Sequence, residues 1–536
     1  MLQLNLEGIK DKSAWQERNV KLPEFDVQAM MAGTKNNPVW VHFGAGNIFR
    51  GFIAALQQSL LNQGLEKSGI IAADTFDYDI IDQIYRPHDN MTLMVSLLPD
   101  GTMKKEVIAS IGAGLRAGTE FPEDMEQLKA VFRNPSLQMV SFTITEKGYA
   151  LKNIEGAYLP VVQQDFENGP EKCSHAMSKV TALLLERFLS GSTPVAVVSM
   201  DNCSHNGEKL RTSVLTVVEE WEKRGFVTKE FADWVNNEEK VSFPWTMIDK
   251  ITPRPAKVVE DALKELEIGE MAPVITGKNT YIAPFVNAEE PQYLVVEDRF
   301  PNGRPALEKA GVYMTDRDTV NDTERMKVTT CLNPLHTALA VYGCMLGYES
   351  IAAEMKDTEL KKLVELIGKK EGMPVVTDPK ILSPEKFLDE VLTKRLPNPF
   401  IPDTPQRIAT DTSQKLAIRF GETIKSYCKA GKDLNELTGI PLVIAGWLRY
   451  LLAVDDAGKE FTPSSDPMLS VMQEKLKDVH LSDPDSADGR LSDILTNDTL
   501  FGCDLYEAGI AEKVIKMFKE MLEGPGAVRK VLKKYL

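Results

Sequence analysis

Between about residues 39 and 296 the chain alternates short apolar runs with stretches of helical periodicity, and this alternation limits the possible folds more than any other feature. The runs are Val39–Phe43, Ile70–Ala73, Met139–Ile144, Val195–Ser199, Val274–Ile275 and Tyr293–Val296. Buried strands joined by long helical crossovers specify a mostly parallel sheet covered on both faces, so the first half reads as doubly wound α/β. After the turn-rich Pro301-Asn-Gly-Arg-Pro305 the apolar period becomes 3.6, at Leu335, Leu339, Val341, Tyr342, Met345 and Leu346, then at Ile351–Met355 and Leu442–Leu452. The second half is expected to be mostly α-helical, divided into blocks by Arg395–Pro399, Thr462–Pro467 and Asp483–Gly489. A chain of 536 residues is too long for one core. We place the boundary so that residues 1–315 form the α/β domain with an N-terminal extension and residues 316–536 the helical one.

The 62 Lys and Arg against 78 Asp and Glu give a net charge of −16, which argues against nucleic acid or an anionic membrane as partner. An anionic substrate needs a local basic pocket. The N-terminus has no basic region followed by an apolar core, and no apolar run approaches the ~20 residues of a membrane span, so a cytoplasmic protein is expected. The six cysteines form no CxxC pair, and the six histidines no HxxxH or HxH pair. No metal site is expected, and the thiols, Cys203 and Cys331 included, read as structural. The oligomeric state stays open.

Val41-His-Phe-Gly44-Ala45-Gly46-Asn47-Ile48-Phe49-Arg50 reads as a turn from a strand into a helix. Missing side chains at Gly44 and Gly46 let backbone approach a pyrophosphate, and the helix start offers unpaired N–H groups. The third glycine of GxGxxG is replaced by Phe49, so the motif alone also fits a plain strand-to-helix turn. Asp74, at the end of the next apolar run, shifts the balance. A carboxylate there accepts hydrogen bonds from an adenosine ribose and repels a 2′-phosphate, favouring NAD over NADP. Asp77 and Asp79 compete for that role or cap a helix; Arg50 reads as a phosphate contact or a surface pair.

Two polar clusters complete the picture. Ser199-Met-Asp201-Asn202-Cys-Ser-His205-Asn206-Gly207 follows a buried run, and Lys327-Val-Thr-Thr-Cys-Leu-Asn333-Pro-Leu-His336 precedes a helical one. Hydride transfer between an alcohol and a nicotinamide needs a proton acceptor and donors to the developing alkoxide. Lys327 is the candidate acid/base, Asn202 and Asn333 the amide donors, and His336 a group that orients the substrate oxygen or the lysine. The alternative for Asn333 is a helix N-cap ahead of Pro334, its side chain spent on backbone N–H groups. On a continuous helix Lys327 and His336, nine residues apart, would point about 180° apart, so Lys327 precedes the helix or the helix is irregular.

The chain resembles the long-chain polyol-specific dehydrogenases, the mannitol dehydrogenase family that includes fructuronate and tagaturonate reductases. The resemblance runs over nearly the whole length. It rests on Gly44–Arg50, Thr145-Glu146-Lys-Gly-Tyr149, Asp201-Asn202 with His205-Asn206-Gly207, Asp249-Lys-Ile-Thr-Pro253, Glu297-Asp-Arg-Phe300, Asn333 with His336, Arg395 with Asn398-Pro399, and Asp411-Thr-Ser-Gln-Lys415. It implies a Rossmann-type first domain that binds NAD and metal-free interconversion of a secondary alcohol and a ketone. By position, Lys327 is the acid/base, Asn202 and Asn333 the oxyanion donors, and His336 and Arg395 substrate-positioning groups. Glu146 gates proton exchange and Asp249 is a polar contact to substrate. The family has four residues between its lysine and asparagine; this chain has five, and a one-residue π bulge is the expected way to absorb the extra one.

Asp411-Thr-Ser-Gln414-Lys415 followed by Arg419 looks most like the uronate reductases, and Lys250, Arg254 and Lys415 are candidate cations for a carboxylate. D-Fructuronate and D-mannonate are therefore the expected pair. Mannitol 2-dehydrogenase or tagaturonate reductase is the runner-up, and an NADH-binding sensor without turnover the non-enzyme alternative.

Overall fold

The computed structural model describes residues 1–536, which divide into two compact units, Met1–Asn321 and Asp322–Leu536. The first is built on a six-stranded sheet of β1 (Trp40–Phe43), β2 (Ile70–Asp74), β3 (Ile111–Arg116), β4 (Met139–Phe142), β5 (Val195–Ser199) and β6 (Val241–Ser242). All neighbouring pairs are parallel and the spatial order is 3-2-1-4-5-6, that of a Rossmann sheet.

Alternation along each strand shows why both faces must be covered. Val41, Phe43, Ile71, Ala73, Val140, Phe142, Val195 and Val197 enter one core. Their neighbours Trp40, Ile70, Ala72, Met139, Ala196 and Val198 enter the other. Every one is buried, so a strand of this kind reads as an unbroken apolar run. The first core is closed by Ala176–Leu189 (α2) and Asn206–Lys223 (α3), the second by the helix after β1, whose regular part is Ala54–Asn62 (α1).

Two of the expected strands lie outside this sheet. Val274–Ile275 pairs only with Tyr281–Ile282 as a short antiparallel hairpin. Tyr293–Glu297 sits in a separate three-stranded sheet, antiparallel to Thr246–Asp249 and parallel to Tyr313–Thr315. Tyr293–Glu297 is largely buried like the sheet strands, whereas Ile275 is exposed; an apolar run carries no information about partner or direction. A further sheet joins Thr92–Leu97, Met103–Ile108, Phe285–Glu289 and the N-terminal Val20–Lys21.

The second unit is helical. Its centre is Gly439–Leu451 (α5), every residue of which is buried. Asn333–Leu346 (α4) packs on it: Gly446 leaves room for the Tyr342 ring, and Tyr342 donates to the Leu442 carbonyl at 2.6 Å. Glu371 satisfies the N-terminal end of α5, accepting from the N–H groups of Thr438, Gly439 and Ile440 at 2.6–2.8 Å. No helix is long and apolar enough to cross a membrane.

Candidate active site

In the first unit the candidate groups gather at the C-terminal ends of β1, β2, β4 and β5. The sheet order reverses between β1 and β4, which is where doubly wound sheets bind ligands. Gly44 has φ +104°, and a Cβ there would stand 2.2 Å from the Thr143 carbonyl oxygen, so only glycine can make the turn. A Cβ on Gly46 would meet nothing within 4 Å, so backbone is open to approach at that point. Ala45 is buried; its N–H donates to Asp74 at 3.1 Å and its carbonyl accepts from Tyr85 at 3.0 Å. Phe49, standing for the third glycine, stacks on His42 with ring centroids 4.2 Å apart. His42 is in turn held by Ser141 and Thr143 at 2.6 and 2.8 Å, so an aromatic stack replaces the usual close helix-to-strand contact.

Asp74 ends β2 as expected and is buried. Its carboxylate already accepts from Ala45, Phe76 and Asp77 N–H groups. Burial raises its pKa and those bonds oppose the rise. Asp77 and Asp79 are taken by the hairpin, receiving the Thr276 hydroxyl and the Gly277 N–H, which leaves Asp74 as the candidate for a ribose. Arg50 requires a correction. It is fully buried, with Nη1 bonded to Thr92 and the Ala283 carbonyl and Nη2 to Asn47, so it is an internal strut and not a phosphate contact or a surface pair. Asn47 is the other half of that strut, and its amide faces the Pro253 carbonyl at 3.4 Å. Ile48 is half-buried beside it.

Asn202 is exposed on the loop after β5. The adjoining Asp201, to which the sequence reading gave no role, builds the surroundings. It accepts the Ile144 and Thr145 N–H groups at 2.9 Å and the Tyr149 hydroxyl at 2.5 Å. This fixes the turn bearing Glu146, which is exposed and ion-paired with Lys209. Asn206 anchors the far end of the loop, exchanging hydrogen bonds with Thr246. Asp249 is buried at the end of Thr246–Asp249. Lys250 next to it donates to the Glu289 carbonyl at 2.7 Å and to Gln292, so it is not a spare cation.

In the second unit the extra residue is absorbed as anticipated. Lys327–Cys331 is a π turn, closed by the Leu332 N–H donating to the Lys327 carbonyl at 3.1 Å. Leu332, at φ −131° and ψ −61°, interrupts the helix between them, so Lys327 and His336 are not tied to the 180° separation of a continuous helix. Lys327 is 2% exposed. Asn333 is not an N-cap: Leu332 holds that position and no side chain caps the helix, so the Asn333 amide is not spent there. His336 Nε2 lies 3.2 Å from the Asp403 carboxylate, which also pairs with Arg407. Burial pulls the His336 pKa down, Asp403 opposes this, and Arg419 and Arg407 reinforce it. Asp403 was missed in the sequence; its only signal was the i,i+4 pairing with Arg407. Arg395 and Asn398 are both buried, on and just after the π turn Val391–Arg395. Lys415 is engaged by the Ile408 and Thr410 carbonyls, and burial lowers its pKa to about 8.

Residues 39–309 match the family model described as the mannitol dehydrogenase Rossmann domain, and residues 319–522 that described as the mannitol dehydrogenase C-terminal domain. The chain belongs to the mannitol dehydrogenase family. Among its relatives is the D-mannonate oxidoreductase of Thermotoga maritima, 52% identical over 534 residues that cover 99% of this chain and 98% of that one. A crystal structure of D-sorbitol dehydrogenase in substrate-free form matches with TM-score 0.78 at 27% identity, covering 95% of this chain and 97% of the other. Mannitol 2-dehydrogenase of Pseudomonas fluorescens, solved as a ternary complex with NAD and D-mannitol, matches with TM-score 0.69 at 25% identity over 99% of both chains. Membership of the mannitol dehydrogenase family agrees with the resemblance read from the motifs; the one departure, five residues between Lys327 and Asn333, falls on the π turn.

Proposed function

We propose that the chain is an NAD-dependent oxidoreductase that interconverts D-fructuronate and D-mannonate. The observation that carries the reading is the 52% identity to a D-mannonate oxidoreductase along essentially the whole chain. The open backbone at Gly46 and the carboxylate ending β2 fit a dinucleotide, with Gly44, Ala45, Gly46 and Asp74 as its contacts and NAD favoured over NADP. Bound NADH supplies the hydride to the ketone carbon. The first unit is then the NAD-binding domain and the second the substrate and catalytic domain.

As charge builds on the ketone oxygen, the amide N–H groups of Asn202 and Asn333 stabilise it without changing protonation state. Lys327 delivers the proton to that oxygen, and in the reverse direction removes it. His336 stays neutral because it is buried. The Asp403 carboxylate, 3.2 Å from Nε2 but not aligned with it as a hydrogen bond, favours the ring proton on that nitrogen, which leaves Nδ1 to accept a substrate hydroxyl. Asp249 and Arg395 position the remaining hydroxyls, and exposed Glu146 passes protons to solvent.

The test is NADH oxidation by the purified protein with D-fructuronate, D-tagaturonate, D-fructose and fructose 6-phosphate, alongside Lys327→Ala. Turnover of fructuronate that drops at least 10³-fold in the variant is the expected result, that being the order of a lost acid/base. Preference for fructose moves the chain to the polyol branch, NADH binding without turnover of any sugar makes it a sensor, and an active Lys327→Ala enzyme removes the lysine from its role.

A further inference from the structure

We propose that Arg419 reads the substrate carboxylate and so separates sugar acids from neutral polyols. The inference rests on the uronate reading above and names the basic anchor that a chain of net charge −16 must provide for an anionic substrate.

Arg419 lies on the π turn Ala417–Gly421. Its Nη1 donates to the Thr337 hydroxyl and lies 3.5 Å from the Asn333 carbonyl oxygen. The guanidinium is thereby fixed against the first turn of α4, which carries Asn333 and His336, and its charge reaches the His336 ring. Burial lowers its pKa only to about 10, so it is a cation at neutral pH.

The neighbouring cations are already compensated. Arg407 pairs with Asp403; Lys415 donates to two carbonyls, with Asp411 and Asp466 nearby. Arg419 has no carboxylate partner, and its Nε and Nη2 donate to no group of the chain. Arg419 is half-buried and neither Nε nor Nη2 is a buried donor without a partner, so that edge is open to solvent and to a ligand, and an anion bound there supplies the missing counter-charge. The remaining Nε and Nη2 edge offers two parallel N–H groups, the geometry that a carboxylate accepts bidentately. A hydroxymethyl group at the same place satisfies one donor and leaves the charge uncompensated, so the site discriminates by chemistry as well as by shape.

The experiment uses the full-length protein and its Arg419→Met and Arg419→Lys variants. It compares kcat/KM for D-fructuronate with kcat/KM for D-fructose, with NADH affinity and thermal unfolding recorded for each protein. Loss of a charge-assisted pair predicts that the fructuronate-to-fructose ratio narrows roughly 10- to 100-fold in Arg419→Met, mainly through KM, and that Arg419→Lys restores part of it. An unchanged ratio overturns the proposal, because a mere strut for α4 would weaken both substrates alike. Should Arg419→Met not fold, Arg419→Lys decides: a ratio at the wild-type value counts against the carboxylate role, a narrowed one for it. Wild-type enzyme that reduces fructose and ignores fructuronate would instead sink the uronate reading, a failure visible before any variant is made.

Discussion

Gly44 and Gly46 sit two residues apart and answer to different constraints. A Cβ at Gly44 meets the Thr143 carbonyl in a backbone conformation already hostile to L side chains, whereas one at Gly46 enters open space. Gly44→Ala is therefore expected to cost about 2 kcal/mol or more of stability, and Gly46→Ala to leave the unfolding transition in place while weakening NADH binding. Thermal melts and NADH fluorescence titrations separate the two, and a Gly46→Ala protein with intact NADH affinity would mean that no ligand approaches there. His42 makes a pH prediction. Burial lowers its pKa from 6.5 to about 3, so the unfolded chain binds the extra proton between those values. Stability is then lost as pH falls from 6.5 toward 3, by up to about 1.4 kcal/mol per unit. His42→Gln should flatten that slope in urea unfolding at pH 7, 5 and 4; parallel curves for the two proteins would exonerate His42.

At the scale of elements, the six π turns stand out, at Phe49–Ile53, Ile81–Tyr85, Lys327–Cys331, Leu366–Gly372, Val391–Arg395 and Ala417–Gly421. Four carry Arg50, Lys327, Arg395 and Arg419, one of them an internal strut and three of them the cations of the proposed site. Only the one at Lys327 was legible in the sequence, because a family spacing existed to count against; a π turn leaves no mark in apolar periodicity. Strands β1, β2, β4 and β5 were legible because burial on both faces makes them unbroken apolar runs. β3 was not: Gly112 and Gly114 interrupt it, and they are there because the Thr34 and Tyr85 side chains press on it, with a Cβ at Gly112 only 2.6 Å from Thr34. Met103–Ile108 was hidden by its run of charged residues. Glu371 is another element-scale device invisible in sequence, 67 residues or more from the N–H groups it caps. Glu371→Ala should cost about 3 kcal/mol by stranding three buried donors, and hydrogen exchange should speed up first in the opening turn of α5. Exchange unchanged there would assign the cap to another group.

For the whole molecule, the plan of an α/β unit followed by a helical one was readable because it reflects local composition and apolar period. What escaped were long-range commitments: Arg50 bonded to Ala283, Asp77 to Thr276, Lys250 to Glu289, each turning a plausible ligand contact into internal structure. Sequence lists the charges of a chain, while the fold decides which of them are already engaged within it. The wide turn at Lys327 also bears on how such a chain changes over generations. One residue inserted into a regular helix swings everything after it by about 100°; here the added length is contained in Lys327–Cys331, before the regular helix that carries His336 begins. A lineage can thus gain or lose an amino acid beside Lys327 in a single step, with no compensating deletion, so a gap in this stretch is by itself a poor marker that the proposed chemistry is lost.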